Sequence, residues 1–175
     1  MKNRSSGFTL IEMMVVVALL GIIAGIAAPS LTMFAKNSAL SGSSEELLNV
    51  FSYAKTEAIK RGSSISICNS AAPTAASPSC VTGTPNWATG WLLFLDADGD
   101  GVYDSGETLL QIGHAVKNVS SINVTNNAKF VRFRSVVLAG SSDTTFTLCN
   151  SGATARIVTI DKVGRITREL GTTCS

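Results

Sequence analysis

The feature that most constrains this chain is an apolar run close to its start, residues 8–35. These 28 positions contain a single charged residue, Glu12. About 20 apolar residues are enough to cross a bilayer as a helix. We therefore expect residues 8–35 to form a membrane-spanning helix.

Two basic residues, Lys2 and Arg4, precede the apolar run. Basic flanks stay on the cytoplasmic side, so the N-terminus should stay cytoplasmic and the rest of the chain should lie across the membrane. A secretory signal has its cleavage site after the apolar core. Here the processing point, Gly7–Phe8, precedes that core. The apolar segment should then survive in the mature protein.

A basic leader, residues 1–7, then Gly-Phe-Thr-Leu-Ile-Glu and an apolar helix containing Pro29, resembles the signal of type IV pilins and type II secretion pseudopilins. The resemblance implies that a prepilin peptidase cuts after Gly7 and methylates the new terminal residue, Phe8. It also implies an inner-membrane, single-pass protein with a periplasmic globular domain, which an assembly platform moves into a filament or its tip. Its partners would be other major and minor pilins or pseudopilins.

The resemblance also gives Glu12 a role. A charge in a membrane is costly unless it is paired. Cleavage creates a cationic amine at Phe8, four residues before Glu12. That amine could meet the Glu12 carboxylate of a neighbouring subunit and set the axial register of a filament, or it could meet Glu12 of the same chain. The alternative is that Glu12 reaches the cytoplasmic interface of the membrane.

Residues 36–62 are expected to be an amphipathic continuation of the helix. Leu47, Phe51, Ala54 and Ala58 recur at helical spacing. Ser43, with an acidic residue three positions later, has the pattern of a helix N-cap. The residues alone leave open whether 8–61 is one helix, and the pilin resemblance favours near-continuity.

Residues 63–175 are predicted to be a β-rich globular domain. Short β-prone segments alternate with Gly, Asn, Ser and Asp. The predicted strands are 64–68, 90–95, 107–113, 121–125, 129–134, 145–149, 156–160 and 164–170. The expected fold class is α+β, with the long N-terminal hydrophobic helix packed on an antiparallel sheet. Within this domain, residues 87–110 are similar to the mid-domain signature of the GspH/FimT/FimU group of minor pilins and pseudopilins.

Four cysteines, Cys68, Cys80, Cys149 and Cys174, have long, irregular spacings, and the chain holds one histidine. A zinc site fits such spacings poorly. In an exported chain the cysteines should form disulfides, and four cysteines allow three connectivities. We favour Cys68–Cys80 and Cys149–Cys174, because each pair closes a short polar or flexible segment.

Residues 96–107, D-A-D-G-D-G-V-Y-D-S-G-E, match the pattern of a calcium-binding loop. The segments on either side of it are predicted to be strands, whereas the calcium loop of an EF-hand lies between two helices. The alternative is a polar hairpin tip, since Asp and Gly suit turns. The oxygen ligands of a calcium ion would come from Asp96, Asp98, Asp100, Val102 (through its carbonyl), Asp104 and Glu107. We expect no other cofactor.

The C-terminal part is basic: from residue 128 onward it holds seven basic and three acidic residues. FimT proteins of natural transformation carry a Gly-Arg-x-Arg DNA-binding element, and residues 164–168 resemble it with one extra residue between the arginines. The candidate DNA-binding residues are Arg132, Arg134, Arg165 and Arg168. The alternatives are a solvated face or a docking surface. The formal net charge of +2 does not support a globally basic surface.

Catalysis is not expected, because the single histidine, His114, has no accompanying nucleophile motif. The sequence predicts a minor pilin of a type IV pilus, incorporated at the filament or its tip and involved in assembly. One alternative is the GspH-type minor pseudopilin of a type II secretion system. The other is a FimT-like, DNA-binding minor pilin for natural transformation.

Overall fold

The structure, a computed structural model, describes residues 8–134 and 143–175, without the side chains of residues 26–29. The predicted leader, residues 1–7, with the cleavage residue Gly7, lies outside the described residues. The chain divides between Ala35 and Lys36 into two units. The first contains the apolar segment and the second contains all of the strands.

One helix, α1, extends from Leu10 to Arg61. It ends where Gly62 takes a positive φ of 64°, a conformation that glycine adopts at little cost. The predicted N-cap at Ser43 is wrong, because Ser43 is buried inside the continuous helix. Leu40 and Leu47, on either side of Ser43, are both buried in the core, so tertiary packing keeps the helix intact through a polar segment.

Each of the eight predicted strand segments overlaps an observed strand, with ends that differ by up to three residues. The strands are β1 (Ile65–Asn69), β2 (Trp91–Leu95), β3 (Thr108–Gly113), β4 (Ser121–Val124), β5 (Phe130–Phe133), β6 (Thr144–Cys149), β7 (Thr154–Ile160) and β8 (Ile166–Thr173). Short 3-10 helices lie at Trp87–Thr89 and Thr125–Asn127.

The strands form two four-stranded sheets rather than one. Their orders are β3-β2-β1-β5 and β4-β6-β7-β8, and every pairing is antiparallel. The α+β class is confirmed. Strands β5 and β8 are edge strands of different sheets. Of the four candidate DNA-binding arginines, Arg132 and Arg134 are therefore near one sheet edge, and Arg165 and Arg168 are near an edge of the other.

The C-terminal half of α1 covers both sheets. Leu47, Phe51, Ala54 and Ala58 are all buried, as their spacing predicts. The ring of Phe51 lies 5.0 Å from that of Phe146 on β6 and 6.4 Å from that of Phe133 on β5. One helical side chain therefore contacts both sheets, at distances favourable for aromatic packing.

The two central strands of the first sheet, β1 and β2, are buried on both faces, which explains the unbroken apolar run in β2. Leu93 belongs to the main core under α1, whereas Leu92 and Phe94 pack on the opposite face. Cys80, which is disulfide-bonded to Cys68, and the ring of Tyr103 cover that opposite face. Residues 96–107, the acidic loop, therefore have a small apolar cluster of their own beneath them.

Both preferred disulfides are present. Cys68 is bonded to Cys80 and Cys149 to Cys174, with Cα–Cα distances of 5.6 and 5.7 Å. The first closes the loop that follows β1. The second joins the end of β6 to the residue after β8 and so fixes the C-terminal strand covalently.

Candidate functional site

The start of α1 is closed by a reciprocal pair of hydrogen bonds. The backbone N–H and the hydroxyl of Thr9 both donate to Glu12 Oε2, at 3.1 and 3.0 Å, and the Glu12 N–H donates to Thr9 Oγ1 at 3.3 Å. This is a capping box, in which the side chain of each residue accepts a hydrogen bond from the otherwise unpaired backbone N–H of the other. Glu12 thus has a partner in its own chain, and its side chain is exposed.

The apolar part of α1 is long and hydrophobic enough to cross a membrane. Its large side chains are exposed from Phe8 through Ile23, with exposed fractions of 47 to 82%. A continuous exposed apolar surface of this kind requires lipid or other apolar helices around it.

The acidic loop joins β2 to β3 and is organised around Asp96. This carboxylate is 2% exposed. Its Oδ1 accepts the Gly99 N–H at 2.7 Å, and its Oδ2 accepts the Gly101 N–H at 3.2 Å and the Ser66 hydroxyl at 2.5 Å. Strand β1 supplies Ser66, so Asp96 fastens the loop to the first sheet.

Three other carboxylates, those of Glu107, Asp98 and Asp100, also accept hydrogen bonds from backbone N–H groups of the loop. Glu107 accepts from Ala97 at 2.8 Å and from Asp104 at 3.2 Å, which joins the two ends of the loop. Asp98 accepts from Asp100 at 3.2 Å, and Asp100 accepts from Val102 at 2.7 Å. These bonds are those of a polar turn.

The loop brings the predicted calcium ligands together in two groups. Carboxylate oxygens of Asp96, Asp98 and Glu107 lie within 4.8 Å of one another, and so do those of Asp98, Asp100 and Asp104. Oxygen donors are what calcium takes. However, the backbone N–H groups already account for the shape of the loop. Calcium binding, with Val102 as a carbonyl ligand, stays a prediction.

Glycine is required at one point of the loop. Gly101 has a φ of 80°, and a Cβ there would lie 2.4 Å from the ring of Phe130 on β5. Phe130 also lies under the guanidinium of Arg132, 5.9 Å from its ring centroid, a cation–π distance. The edge strand β5 therefore covers one side of the acidic loop.

The four candidate DNA-binding arginines are divided between two places. Arg132 lies beside Gly99 of the acidic loop, with Arg134 directly after β5. Arg165 pairs with Asp161 at 3.1 Å, and Arg168 on β8 pairs with Glu45 of α1. The two arginines nearest the C-terminus therefore hold structural ion pairs, and DNA binding stays a prediction.

The turn between β7 and β8 is built on Asp161. Its carboxylate accepts the N–H groups of Arg165 at 2.8 Å and Val163 at 3.0 Å. The Arg165 N–H, followed by the Val163 N–H and the Arg165 side chain, lowers the pKa of the Asp161 carboxyl. Lys55 of α1 donates to the Gly164 carbonyl at 2.8 Å, which fixes this turn to the helix.

Comparison with known proteins agrees with this arrangement. The family described as "Type II transport protein GspH" matches residues 43–164, and the prokaryotic N-terminal methylation motif matches residues 2–28. Two crystal structures of the type IV minor pilin FimU of Pseudomonas aeruginosa are similar to the chain. One is 22% identical, with 77% of this chain and 99% of that chain covered and a TM-score of 0.55. The other is 21% identical, with 81% and 99% covered and a TM-score of 0.59.

A long apolar N-terminal helix, a methylation motif and a two-sheet domain packed on the helix define a subunit of the pilin and pseudopilin class. The chain belongs to the GspH family, whose match covers more than half of its length. A comparison with curated proteins gave no significant match. Members of this class assemble with other pilins in a filament, and the predicted resemblance is confirmed.

Sequence reasoning missed two functional contacts. One is the cap of α1 by Thr9. A signal for it was present, because the pattern Thr-x-x-Glu at residues 9–12 has the spacing of a capping box. Ser66 bonds to Asp96 across two strands, and no local signal announces that contact. His114 is exposed immediately after β3.

Proposed function

We propose that this chain is a minor pilin of a type IV pilus, incorporated at the filament or its tip and involved in pilus assembly. Its role is structural rather than catalytic. The observation that carries the proposal is the likeness of its fold to a type IV minor pilin over 99% of that protein. The N-terminal methylation motif in front of an exposed apolar helix supports it.

In this proposal a prepilin peptidase cuts between Gly7 and Phe8 and methylates Phe8. The apolar part of α1 holds the protein in the inner membrane with its globular domain in the periplasm. An assembly platform then transfers it into a filament, where the apolar helices bury one another. The free energy of that transfer comes from apolar side chains that leave the lipid for close packing with neighbouring helices.

Glu12 would guide this step by attracting the Phe8 amine of an incoming subunit. The capping box supports a specific form of this idea, because Thr9 orients the Glu12 carboxylate before assembly. A buried carboxylate without a cation is strongly disfavoured. Subunits in the wrong register would leave Glu12 unpaired in an apolar environment.

The test is Glu12→Ala in the full-length chain expressed in a piliated host. The variant should be cleaved and remain in the membrane fraction, while its amount in sheared filaments falls about tenfold or more. Glu12→Asp is the matched variant, since it keeps the charge and shortens its reach. Equal incorporation of Glu12→Ala and the unchanged chain would contradict the proposal.

The second candidate is a minor pseudopilin of a type II secretion system, which the description of the matching family favours. Deletion of the gene separates the two. Loss of surface pili and twitching with normal protein secretion supports the pilus. Loss of secretion with intact pili supports the pseudopilin.

DNA capture remains a separate prediction from the sequence. It requires the full-length chain in detergent to shift a DNA fragment at low salt and to lose the shift as salt increases. Replacing Arg132, Arg134, Arg165 and Arg168 with alanine should abolish that shift. Absence of any shift at low salt would dispose of this role.

A further inference from the structure

A groove of about 540 Å³ runs between α1 and the first sheet. On the helix side it is lined by Glu45, Glu46 and Tyr53, and on the sheet side by Trp91 and Gln111. The side chain of Tyr53 is 43% exposed, whereas Trp91 is buried and its ring lies against Gly113. The groove therefore combines an acidic wall with an aromatic one.

The charge in the groove is negative and partly unpaired. Among the residues that the structure describes, no lysine, arginine or histidine lines it. Glu45 is paired with Arg168, but Glu46 is exposed and has no bonded partner among residues 8–134 and 143–175. A lysine suits such a groove, because its methylenes can cover an aromatic face while its ammonium meets a carboxylate.

The chain offers a matching element in the turn between β7 and β8. Lys162 and Val163 are adjacent and exposed at the tip of this turn, with Val163 61% exposed. The backbone of Lys162 bonds to Asp143, while its ammonium has no partner among the residues that the structure describes. Contacts of the turn with Asp161 and Lys55 hold it in one conformation, which reduces the entropy that docking would cost.

The groove and the turn lie on opposite sides of α1. Glu46 lines the groove, and Lys55 contacts the turn. These residues are nine positions apart, or about two and a half turns at 3.6 residues per turn. A copy that inserts its turn into a neighbour's groove therefore keeps its own groove free. Contacts of this head-to-tail kind generate open, filament-like arrays.

We propose that the groove receives the β7–β8 turn of a second copy of this chain. Lys162 of the entering turn pairs with Glu46, and Val163 packs on Tyr53. The contact rests on the proposed function, since it places two copies side by side in a filament or its tip. It assigns the basic C-terminal part a docking role.

The first experiment places the photo-crosslinking amino acid benzoylphenylalanine at Tyr53 of the full-length chain. Irradiation of membranes from expressing cells should give a cross-linked dimer of the chain. Peptide mapping should locate the cross-link within residues 161–165 of the second copy. A cross-link to another protein, to another part of the second copy, or to none would overturn the proposal.

Charge exchange gives the second experiment. Glu46→Lys and Lys162→Glu should each lower the dimer yield about fivefold, the upper range for an exposed ion pair. The double exchange should restore the yield. Glu169→Lys and Lys117→Glu make the same changes of charge at other exposed positions and should leave it unchanged. A yield that survives either single reversal, or that the double exchange does not restore, counts against the contact.

The two proposals can fail separately. A dimer with the expected cross-link in a chain that never enters a filament would leave the contact standing and remove the pilin function. Filament incorporation without the cross-link would leave the pilin function standing and remove the contact. Native disulfides and protease resistance of the globular domain verify that each variant is folded.

Discussion

Thr9 and Glu12 close the first turn of α1 by exchanging hydrogen bonds, with Glu12 N–H to Thr9 Oγ1 at 3.3 Å and Thr9 N–H to Glu12 Oε2 at 3.1 Å. The only charge of the apolar segment is therefore part of the local helix architecture. The Glu12 carboxylate therefore takes part in the helix cap, and in our proposal it also pairs with the Phe8 amine of an incoming subunit.

Removal of the Thr9 hydroxyl should separate these two roles. Thr9→Val keeps the shape of the side chain but loses the cap, which is worth about 1 kcal/mol. We expect faster amide hydrogen exchange at Glu12 in detergent micelles, with the globular domain unaffected. Thr9→Ser retains a hydroxyl and serves as the control. Exchange at Glu12 that is equal in the two variants would contradict a capping role.

Asp96 should be the carboxylate of the acidic loop on which stability depends most. Asp96→Asn removes an ionised acceptor from three hydrogen bonds in a buried site, so the free energy of unfolding should fall by about 1.5–3 kcal/mol. Urea unfolding measures this loss. Asp98→Asn, at an exposed position with one such bond, should change it by less than about 0.5 kcal/mol. Similar losses for both variants would count against the anchor role of Asp96.

Gly101→Ala should destabilise the loop for two reasons that a second substitution can separate. The positive φ costs alanine about 1–2 kcal/mol, and the added methyl group meets the Phe130 ring. In a Phe130→Ala background the steric part disappears and the backbone part remains. Thermal unfolding of the unchanged chain, the two single variants and the double variant gives both the backbone cost and the steric cost. An additive double variant would exclude the clash.

Calcium should bind the acidic loop, as its sequence pattern predicts. Calorimetric titration of the full-length chain in detergent should show one saturable site at up to about millimolar calcium. Asp98→Ala should lose it, since Asp98 belongs to both carboxylate groups. Glu169→Ala removes an acidic residue elsewhere and should keep it. No binding heat in the unchanged chain would retire the calcium hypothesis.

Acid should weaken the end of α1. Hydrogen bonds from Arg61, and then Lys60, lower the pKa of the Glu57 carboxyl below its ordinary value of 4.5. The unfolded chain then binds more protons than the folded one as the pH falls, so the stability that this carboxylate contributes above pH 4.5 is lost as the pH falls below that value. Urea unfolding between pH 6 and pH 3 should show a shallower loss in Glu57→Gln. Glu169→Gln should keep the full slope.

The predictable part of the fold is the part encoded in local periodicity. Phe51 and Ala54 fall on the buried face that their spacing predicts, and alternating segments become strands. The two N-cap motifs show the limit of such reasoning. Thr9 with Glu12 is a true cap, while Ser43 with Glu46 has the same spacing inside a helix, because burial of Leu40 and Leu47 outweighs a local signal.

Long-range pairs could not be read from spacing. Arg168 meets Glu45 and Ser66 meets Asp96 only after the strands have paired. The sequence also groups four arginines by proximity to the C-terminus, whereas the structure places two of them on or directly after β5 and two on or directly before β8, in different sheets. The disulfide pairing could be predicted from the sequence because both bridges close short segments.

The Cys149–Cys174 bridge has a mechanical consequence for a subunit held through its helix. An edge strand under tension detaches by unzipping from one end. Cys174 directly follows β8, and its bond to Cys149 blocks unzipping from that end. At the other end, Lys55 holds the turn at Gly164. A pull on the subunit therefore meets β8 fastened near both ends, by a covalent bond to the end of β6 and by a hydrogen bond from α1.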